Sequence, residues 1–145
     1  MIDKDLYNLV YAVNAIDPEA LDADNTPAAI DLKGYNAALV LIHVGAGGIT
    51  FDSTNKVEFK LTHSDDDSTY TAVTVDDVVG LDSVGTGGII KSLTAAHATA
   101  TVTECGYKGG KRYLKLLADF SGTHGTATPM AALVIKAGAD TLPAA

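Results

Sequence analysis

The sequence predicts an all-β protein, a single-domain antiparallel β-sandwich of jelly-roll-like form with about eight or nine strands. Short apolar segments recur along the 145 residues and are separated by turns rich in glycine, aspartate and serine. The composition favours Thr and Val, which suit pleated surfaces, and Gly, which suits turns. No segment keeps the apolar period of about 3.6 residues that marks a long helix.

The first apolar segment, residues 6–16, fits two structures. Its apolar residues recur at intervals that suit a short helix. Its tyrosines and valines favour a strand and its asparagines disfavour a helix, so we expect a strand. Asp17 and Pro18 should break that strand, because proline restricts the residue before it. An exposed loop should follow over residues 19–27, so that residues 1–28 form an N-terminal strand or arm plus loop.

The sandwich domain itself should occupy residues 29–138, with a flexible tail over residues 139–145. The clearest strand signal lies in residues 56–63, where apolar and polar side chains alternate. The acidic turn that follows, residues 64–68, should connect this strand to the next as a hairpin. The predicted strands of this domain cover residues 29–32, 36–44, 56–63, 69–75, 89–93, 98–104, 113–120 and 129–137.

Two of these strands, residues 36–44 and 129–137, are apolar on both faces of the pleat. A strand in a two-sheet sandwich normally exposes one face to water, and that face is then polar. The second apolar face of each strand therefore needs a cover. Either the N-terminal segment folds back over one of the two strands, or self-association or docking onto another protein covers them.

The polar feature that stands out is a cluster of tyrosines and cations around a glycine-flanked turn. Four of the ten basic residues lie between Lys108 and Lys115, in a chain of net charge −8. Tyr and Arg are enriched in interface hot spots, and Arg pairs bidentately with carboxylates. The alternative is a strand start at which the Lys and Arg stems cover the edge of the sandwich. The candidate contact residues are those of this cluster and two tyrosines of the N-terminal segment: Tyr107, Lys108, Lys111, Arg112, Tyr113, Tyr7 and Tyr11.

The charge balance argues against two classes of partner. A net charge of −8 disfavours nucleic acid, whose phosphates need clustered cations, and also an anionic membrane surface. No apolar run reaches the roughly 18 residues of a bilayer span, and the N-terminus lacks the positive charge that begins a secretory signal. Cys105 is the only cysteine, so no internal disulfide can form, and we expect a buried, unreactive thiol.

No arrangement of residues in the sequence points to catalysis. The histidines lack the short spacings of metal-ligand motifs, and the acidic turn lacks the Gly and Glu positions of an EF-hand. Neither a GxSxG motif nor a phosphate-binding glycine loop is present. We therefore expect no enzyme activity, no catalytic residue, no metal and no cofactor. The histidines are His43, His63, His97 and His124.

Several ordered blocks of the sequence resemble one family. They are GY-x-AA-x-VxxxVG from Gly34 to Gly45, F-x-LxHSDD-x-ST-Y-T-x-V from Phe59 to Val73, and then GYKGGKRYLKL and SGTHGTATPMAALVIKAG. Over residues 30–138 the chain resembles tailed-phage head decoration proteins, also called capsid cement proteins. Asp67 departs from the pattern, because the turn of that family usually carries Gly there.

The resemblance implies a β-sandwich on the outer surface of the capsid in the virion, often as a trimer. Its partner would be the major capsid protein, and its function would be structural, stabilising contacts between neighbouring capsid subunits. The alternative is a carbohydrate- or receptor-binding sandwich on the virion surface. Sugar-binding platforms use exposed aromatic faces, and the absence of Trp makes this alternative the weaker one.

Overall fold

The computed structural model describes residues 4–141 as two antiparallel β-sheets that pack face to face. Ten strands and two short 3₁₀ helices form this part of the chain, and the prediction of a single-domain all-β sandwich is confirmed. The 3₁₀ helices span Leu6–Asn8 and Val75–Asp77. The strands are β1 (Val10–Leu21), β2 (Ile30–Asp31), β3 (Tyr35–Val44), β4 (Lys56–Ser64), β5 (Thr71–Ala72), β6 (Val78–Val79), β7 (Ile89–Leu93), β8 (Thr101–Tyr107), β9 (Tyr113–Ser121) and β10 (Thr128–Ala139).

The first sheet has the strand order β1-β10-β3-β8-β6, and the second has the order β2-β9-β4-β5, with β7 also paired to β4. The last strand of the chain, β10, lies between β1 and β3, so it joins two elements that are distant from it in sequence. No helix in the described part of the chain is long and apolar enough to cross a membrane.

The hydrophobic core fills the space between the sheets. The inward residues of β4 and β9, among them Phe59, Leu61 and Leu116, are at most 1% exposed. From the first sheet, Val40 and Val134 are fully buried and meet them. The period of two predicted for β4 is therefore the period of its burial. Removal of this apolar surface from water is the main stabilising contribution.

The predicted break at Asp17 and Pro18 is wrong, because β1 continues through both residues to Leu21. Two register shifts against β10, between Asn14 and Ile16 and between Ile16 and Glu19, accommodate the proline. Proline lacks the N–H that a ladder needs, and it is tolerated at bulges and on edge strands. Residues 10–21 of the N-terminal segment thus form an edge strand of the first sheet.

The segment after β1, predicted as an exposed loop, forms hydrogen bonds with backbone groups at the edge of β9. The Asn25 side chain donates to the carbonyl of Leu116 at 3.2 Å and accepts the N–H of Ala118 at 2.7 Å. Asp24 accepts the N–H of Phe120 at 2.7 Å. Backbone groups at a sheet edge need hydrogen-bond partners. Where β9 extends past its pairing with β2, the side chains of Asn25 and Asp24 provide these partners.

Two predicted boundaries moved towards the C-terminus. β8 runs to Tyr107 instead of ending at Glu104, because Cys105 and Tyr107 are buried in the core and continue the alternation. The burial predicted for Cys105 is confirmed, and it raises the pKa of the thiol to about 11.

The predicted tail starts inside β10, since Ala139 ends that strand and the Asp140 N–H donates to Gly34 O at 2.8 Å. Residues 142–145 lie outside the described residues.

The two strands that are apolar on both faces, β3 and β10, are neighbours in the first sheet. Their inward faces are buried in the core. On the outward face Leu41 lies opposite Leu133, which is 38% exposed, and Leu39 lies opposite Ile135. β1 pairs beside β10 within the sheet and does not fold back over this outward face, so that explanation of its cover is wrong.

Candidate interaction surface

All six tyrosines of the chain lie at one end of the sandwich. This is the end at which β1, β3 and β9 begin and β4, β8 and β10 finish. A bond from Lys136 Nζ to the carbonyl of Asp31, 3.3 Å long, joins the two sheets there. We call this surface the tyrosine-rich end. Its surface tyrosines are Tyr7, Tyr11, Tyr35, Tyr70 and Tyr113, and Tyr107 is buried at the same end.

Cations lie over four of these six rings. Lys136 Nζ is 4.9 Å from the ring centroid of Tyr11 and 4.7 Å from that of Tyr35. Lys115 Nζ is 4.2 Å from the ring centroid of Tyr70. Such contacts contribute roughly 0.5–1 kcal/mol at exposed sites. Their larger consequence here is that they fix the orientation of rings that would otherwise rotate on the surface.

Arg112 organises the centre of the tyrosine-rich end. Its Nε and a terminal nitrogen donate to the two carboxylate oxygens of Asp31 at 2.8 and 2.7 Å, a bidentate pair. Its guanidinium carbon also lies 4.8 Å from the ring centroid of Tyr113. The hydrogen bond from Arg112 is the main reason that the pKa of Asp31 falls to about 2. The pair therefore stays ionised at any physiological pH.

Tyr107 belongs to the core and not to the surface, contrary to its place among the candidate contact residues. It is 3% exposed, and its hydroxyl oxygen lies 2.9 Å from Nδ1 of buried His63. The same hydroxyl accepts the Lys111 N–H at 3.1 Å. Burial lowers the pKa of His63 and keeps its imidazole neutral. The turn that presents the cations is thus tied to the core through Tyr107.

The remaining candidate contact residues keep access to solvent. Lys108 is exposed, and its N–H donates to the carbonyl of Asp77 at 2.8 Å. Lys111 Nζ lies 3.7 Å from a carboxylate oxygen of Asp65. Tyr7, in the first 3₁₀ helix, is 88% exposed, and Tyr11 is 43% exposed. Sequence reasoning missed Tyr35, Tyr70, Lys115 and Lys136, whose convergence depends on strand register.

The acidic turn between β4 and β5 completes this end. The Asp66 carboxylate accepts the N–H groups of Ser68 and Thr69, both at 2.9 Å. These bonds hold the pKa of Asp66 at about 2. Asp67, with φ of +56°, is the only non-glycine residue at positive φ in the described part of the chain.

The histidines do not form a metal site. His97 stacks on Phe51 with ring centroids 5.5 Å apart, and His124 meets the edge of Phe120 at 4.8 Å, both at the end opposite the tyrosines. His63 is in the core, and His43 is exposed on β3. Within residues 4–141, no group of three or more His, Cys, Asp or Glu side chains is placed to hold a metal ion.

Comparison with known proteins leaves this surface to be interpreted from its own geometry. No protein-family model matches the chain, and no curated protein matches it either.

Proposed function

We propose that this protein is a structural virion protein, a capsid decoration or cement protein that binds the outer surface of a phage head. In this proposal the tyrosine-rich end docks onto the major capsid protein and stabilises contacts between neighbouring capsid subunits. The observation that carries it is the collection of five solvent-accessible tyrosines at one end of the sandwich, four of them in contact with a cation.

The chemistry of this end suits a protein partner. Tyr and Arg are the residue types most enriched in interface hot spots, since each combines a large apolar area with hydrogen bonding. Rings and cations that already hold each other lose less conformational entropy when a partner binds. At least six of the ten basic residues lie on this end, beside the carboxylates of Asp31, Asp65 and Asp66, so it presents charges of both signs to a partner. The basic residues are Lys33, Lys108, Lys111, Arg112, Lys115 and Lys136.

The backbone conformation of the acidic turn also supports the resemblance to the decoration family. Asp67 stands where that family usually carries Gly, and its φ of +56° is the conformation that glycine adopts most readily. Asp is among the few other residues that tolerate this region. The departure in sequence therefore keeps the backbone conformation that the family's glycine would give.

Weak contacts suffice for such a function because many copies act on one shell. Each copy that bridges two capsid subunits adds its contact free energy to the cost of separating them. A homo-oligomer, for which the resemblance favours a trimer, would present several tyrosine-rich ends at once. Binding then depends on effective concentration as well as on the affinity of one end.

The carbohydrate-binding alternative loses support from the same contacts. A sugar platform needs an open aromatic face, and on four of the tyrosines a Lys or Arg side chain already occupies one face. Tyr7 is the most exposed ring and has no cation contact in the described part of the chain, but a single isolated ring makes a small platform. A competable hit on a glycan array would restore this alternative.

The proposal is tested with phage heads that lack the protein. Purified wild-type protein should bind expanded heads at a fixed copy number, measured by co-sedimentation and cryo-EM. The double variant Tyr7→Ser, Lys108→Glu changes two exposed side chains of the tyrosine-rich end and should weaken binding about tenfold or more.

The matched control is the double variant Val102→Ser, Lys91→Glu, which makes the same kinds of change on β8 and β7. It should bind heads as the wild type does. Absence of the protein from purified virions would overturn the proposed function. Equal loss of binding in both double variants would exclude the tyrosine-rich end as the docking surface.

A further inference from the structure

A cleft at the tyrosine-rich end lies between two turns that are distant in sequence, the turn between β2 and β3 and the turn between β8 and β9. Its volume of about 340 Å³ is within the range of sites that hold small ligands. Three cations line it, Lys33 from the first turn and Lys111 and Arg112 from the second. We call it the cationic cleft.

The charges that line the cationic cleft differ in sign from those of the chain as a whole. Its three cations are accompanied by one lining carboxylate, that of Asp65, whereas the chain has a net charge of −8. Lys111 Nζ lies 3.7 Å from that carboxylate, which is longer than a hydrogen bond, so its N–H groups remain available. Asp31 pairs with Arg112 but occupies only two of its N–H donors. Within residues 4–141, Lys33 Nζ has no hydrogen-bond or ion-pair partner.

The cationic cleft is formed before any partner binds. The Leu32 N–H donates to the carbonyl of Arg112 at 2.7 Å, so the two turns are joined directly. The Lys111 N–H donates to the Tyr107 hydroxyl at 3.1 Å. Leu32 and Tyr107 also line the cleft and are only 6% and 3% exposed, so the surface beside the cations is anchored in the core. A preformed site loses little conformational entropy on binding.

A carboxylate on a short apolar stem matches this combination of surfaces. Carboxylates accept charge-assisted hydrogen bonds from Lys and Arg, and the methylene groups of a Glu side chain can cover the apolar surface of Leu32. Inorganic phosphate also accepts such bonds but has no apolar part. Nucleic acid is disfavoured because the chain is strongly acidic outside the cleft.

We propose that the cationic cleft receives an acidic side chain, Glu or Asp, from a segment of the protein partner. This inference rests on the proposed function, which supplies a capsid subunit as the partner, and it adds the chemistry of the segment that docks. The carboxylate accepts N–H groups from Lys33, Lys111 and the unoccupied donors of Arg112. A Gln in place of that Glu offers only a neutral acceptor, so the cleft discriminates between the two.

The test compares three probes: the peptide acetyl-Ala-Glu-Ala-amide, its neutral counterpart acetyl-Ala-Gln-Ala-amide, and inorganic phosphate. Each is titrated into the full chain, and binding is followed by the amide chemical shifts in NMR spectra. The Glu peptide should shift the amides of Gly34 and Gly110 saturably, since both residues line the cleft. It should bind about fivefold tighter than the Gln peptide, and tighter than phosphate.

Substitution of the two lysines assigns this preference to the cleft. Lys33→Gln and Lys111→Gln should each reduce the preference for the Glu peptide, and the double variant should abolish it. Lys91→Gln, on β7 and outside the cleft, is the matched control and should keep the full preference. Equal affinity for the two peptides, tighter binding of phosphate, or a preference that survives in the double variant would overturn the inference.

These titrations contain no phage heads, so their outcome is separate from that of the head-binding experiment. Head binding by a protein that does not discriminate between the peptides would leave the proposed function in place and remove the acidic segment. Discrimination between the peptides by a protein that does not bind heads would leave the cleft as a carboxylate site and remove the capsid subunit as its partner.

Discussion

The hydroxyl oxygen of Tyr107 lies 2.9 Å from Nδ1 of His63, and this contact joins the last residue of β8 to the penultimate residue of β4. Both side chains are at least 95% buried, and the hydroxyl also accepts the Lys111 N–H at 3.1 Å. One phenol therefore connects the two sheets and fixes the turn that carries the cations.

Tyr107→Phe should lower the free energy of unfolding by about 1–3 kcal/mol, because the imidazole and the Lys111 N–H both lose a partner in a buried site. Urea denaturation measures the change. Tyr113→Phe removes a hydroxyl from a half-buried ring at the same end and should change stability by less than about 0.5 kcal/mol. Equal effects of the two substitutions would show that the hydroxyl of Tyr107 has no special role.

Stability should fall as the pH drops below about 6.5, the ordinary pKa of histidine. Burial lowers the pKa of His63 in the folded chain, so below pH 6.5 the unfolded chain binds a proton that the folded chain does not. His63 therefore contributes its full stabilisation above pH 6.5. This stabilisation decreases as the pH falls towards the pKa of His63 in the folded chain, by at most about 1.4 kcal/mol per pH unit.

His63→Asn should flatten this pH dependence while keeping an acceptor near the Tyr107 hydroxyl. His43→Asn, at an exposed position on β3, is the matched control and should leave the dependence unchanged. The measurement is the free energy of unfolding of the wild type and both variants at pH 8, 6.5 and 5. A wild type whose stability is the same at all three values would show that His63 is not held neutral.

Asn25→Ala should destabilise the edge of β9, since two partly buried backbone groups lose their partners. Each group left without a hydrogen bond costs about 1–3 kcal/mol. The Ala118 amide should then exchange with solvent faster than the amides of β4. Thr26→Ala, at the next residue and exposed, is the control and should leave that exchange rate unchanged.

At Asp67, the Ala variant should be less stable than the Gly variant by about 1 kcal/mol, because φ is +56° there and an L side chain is strained. Both substitutions remove the carboxylate that accepts the Tyr70 hydroxyl, so their difference reports the backbone alone. The reverse order of stability in thermal denaturation would mean that the turn has a different conformation in solution.

Local patterns were sufficient for the elements with one buried face. The alternation of Val57, Phe59 and Leu61 with polar residues places β4 within one residue of its observed bounds, since burial of one face enforces a period of two. The strand break predicted at Pro18 is wrong, because register shifts against β10 allow the strand to continue through the proline. No residue near Pro18 encodes those shifts.

The candidate surface divides in the same way. The composition and spacing of Lys108 and Arg112 mark a cationic turn in the sequence itself. That turn lies beside Tyr35, Tyr70 and Lys136 only because strands that are distant in sequence have their termini at the same end of the sandwich. The alternating pattern determined which residues each strand buries, because burial is a local choice between two faces. Strand order and register decided how Lys115 and Lys136 meet their tyrosines, because those contacts link segments that only the folded chain brings together, whereas Arg112 and Tyr113 are neighbours in sequence.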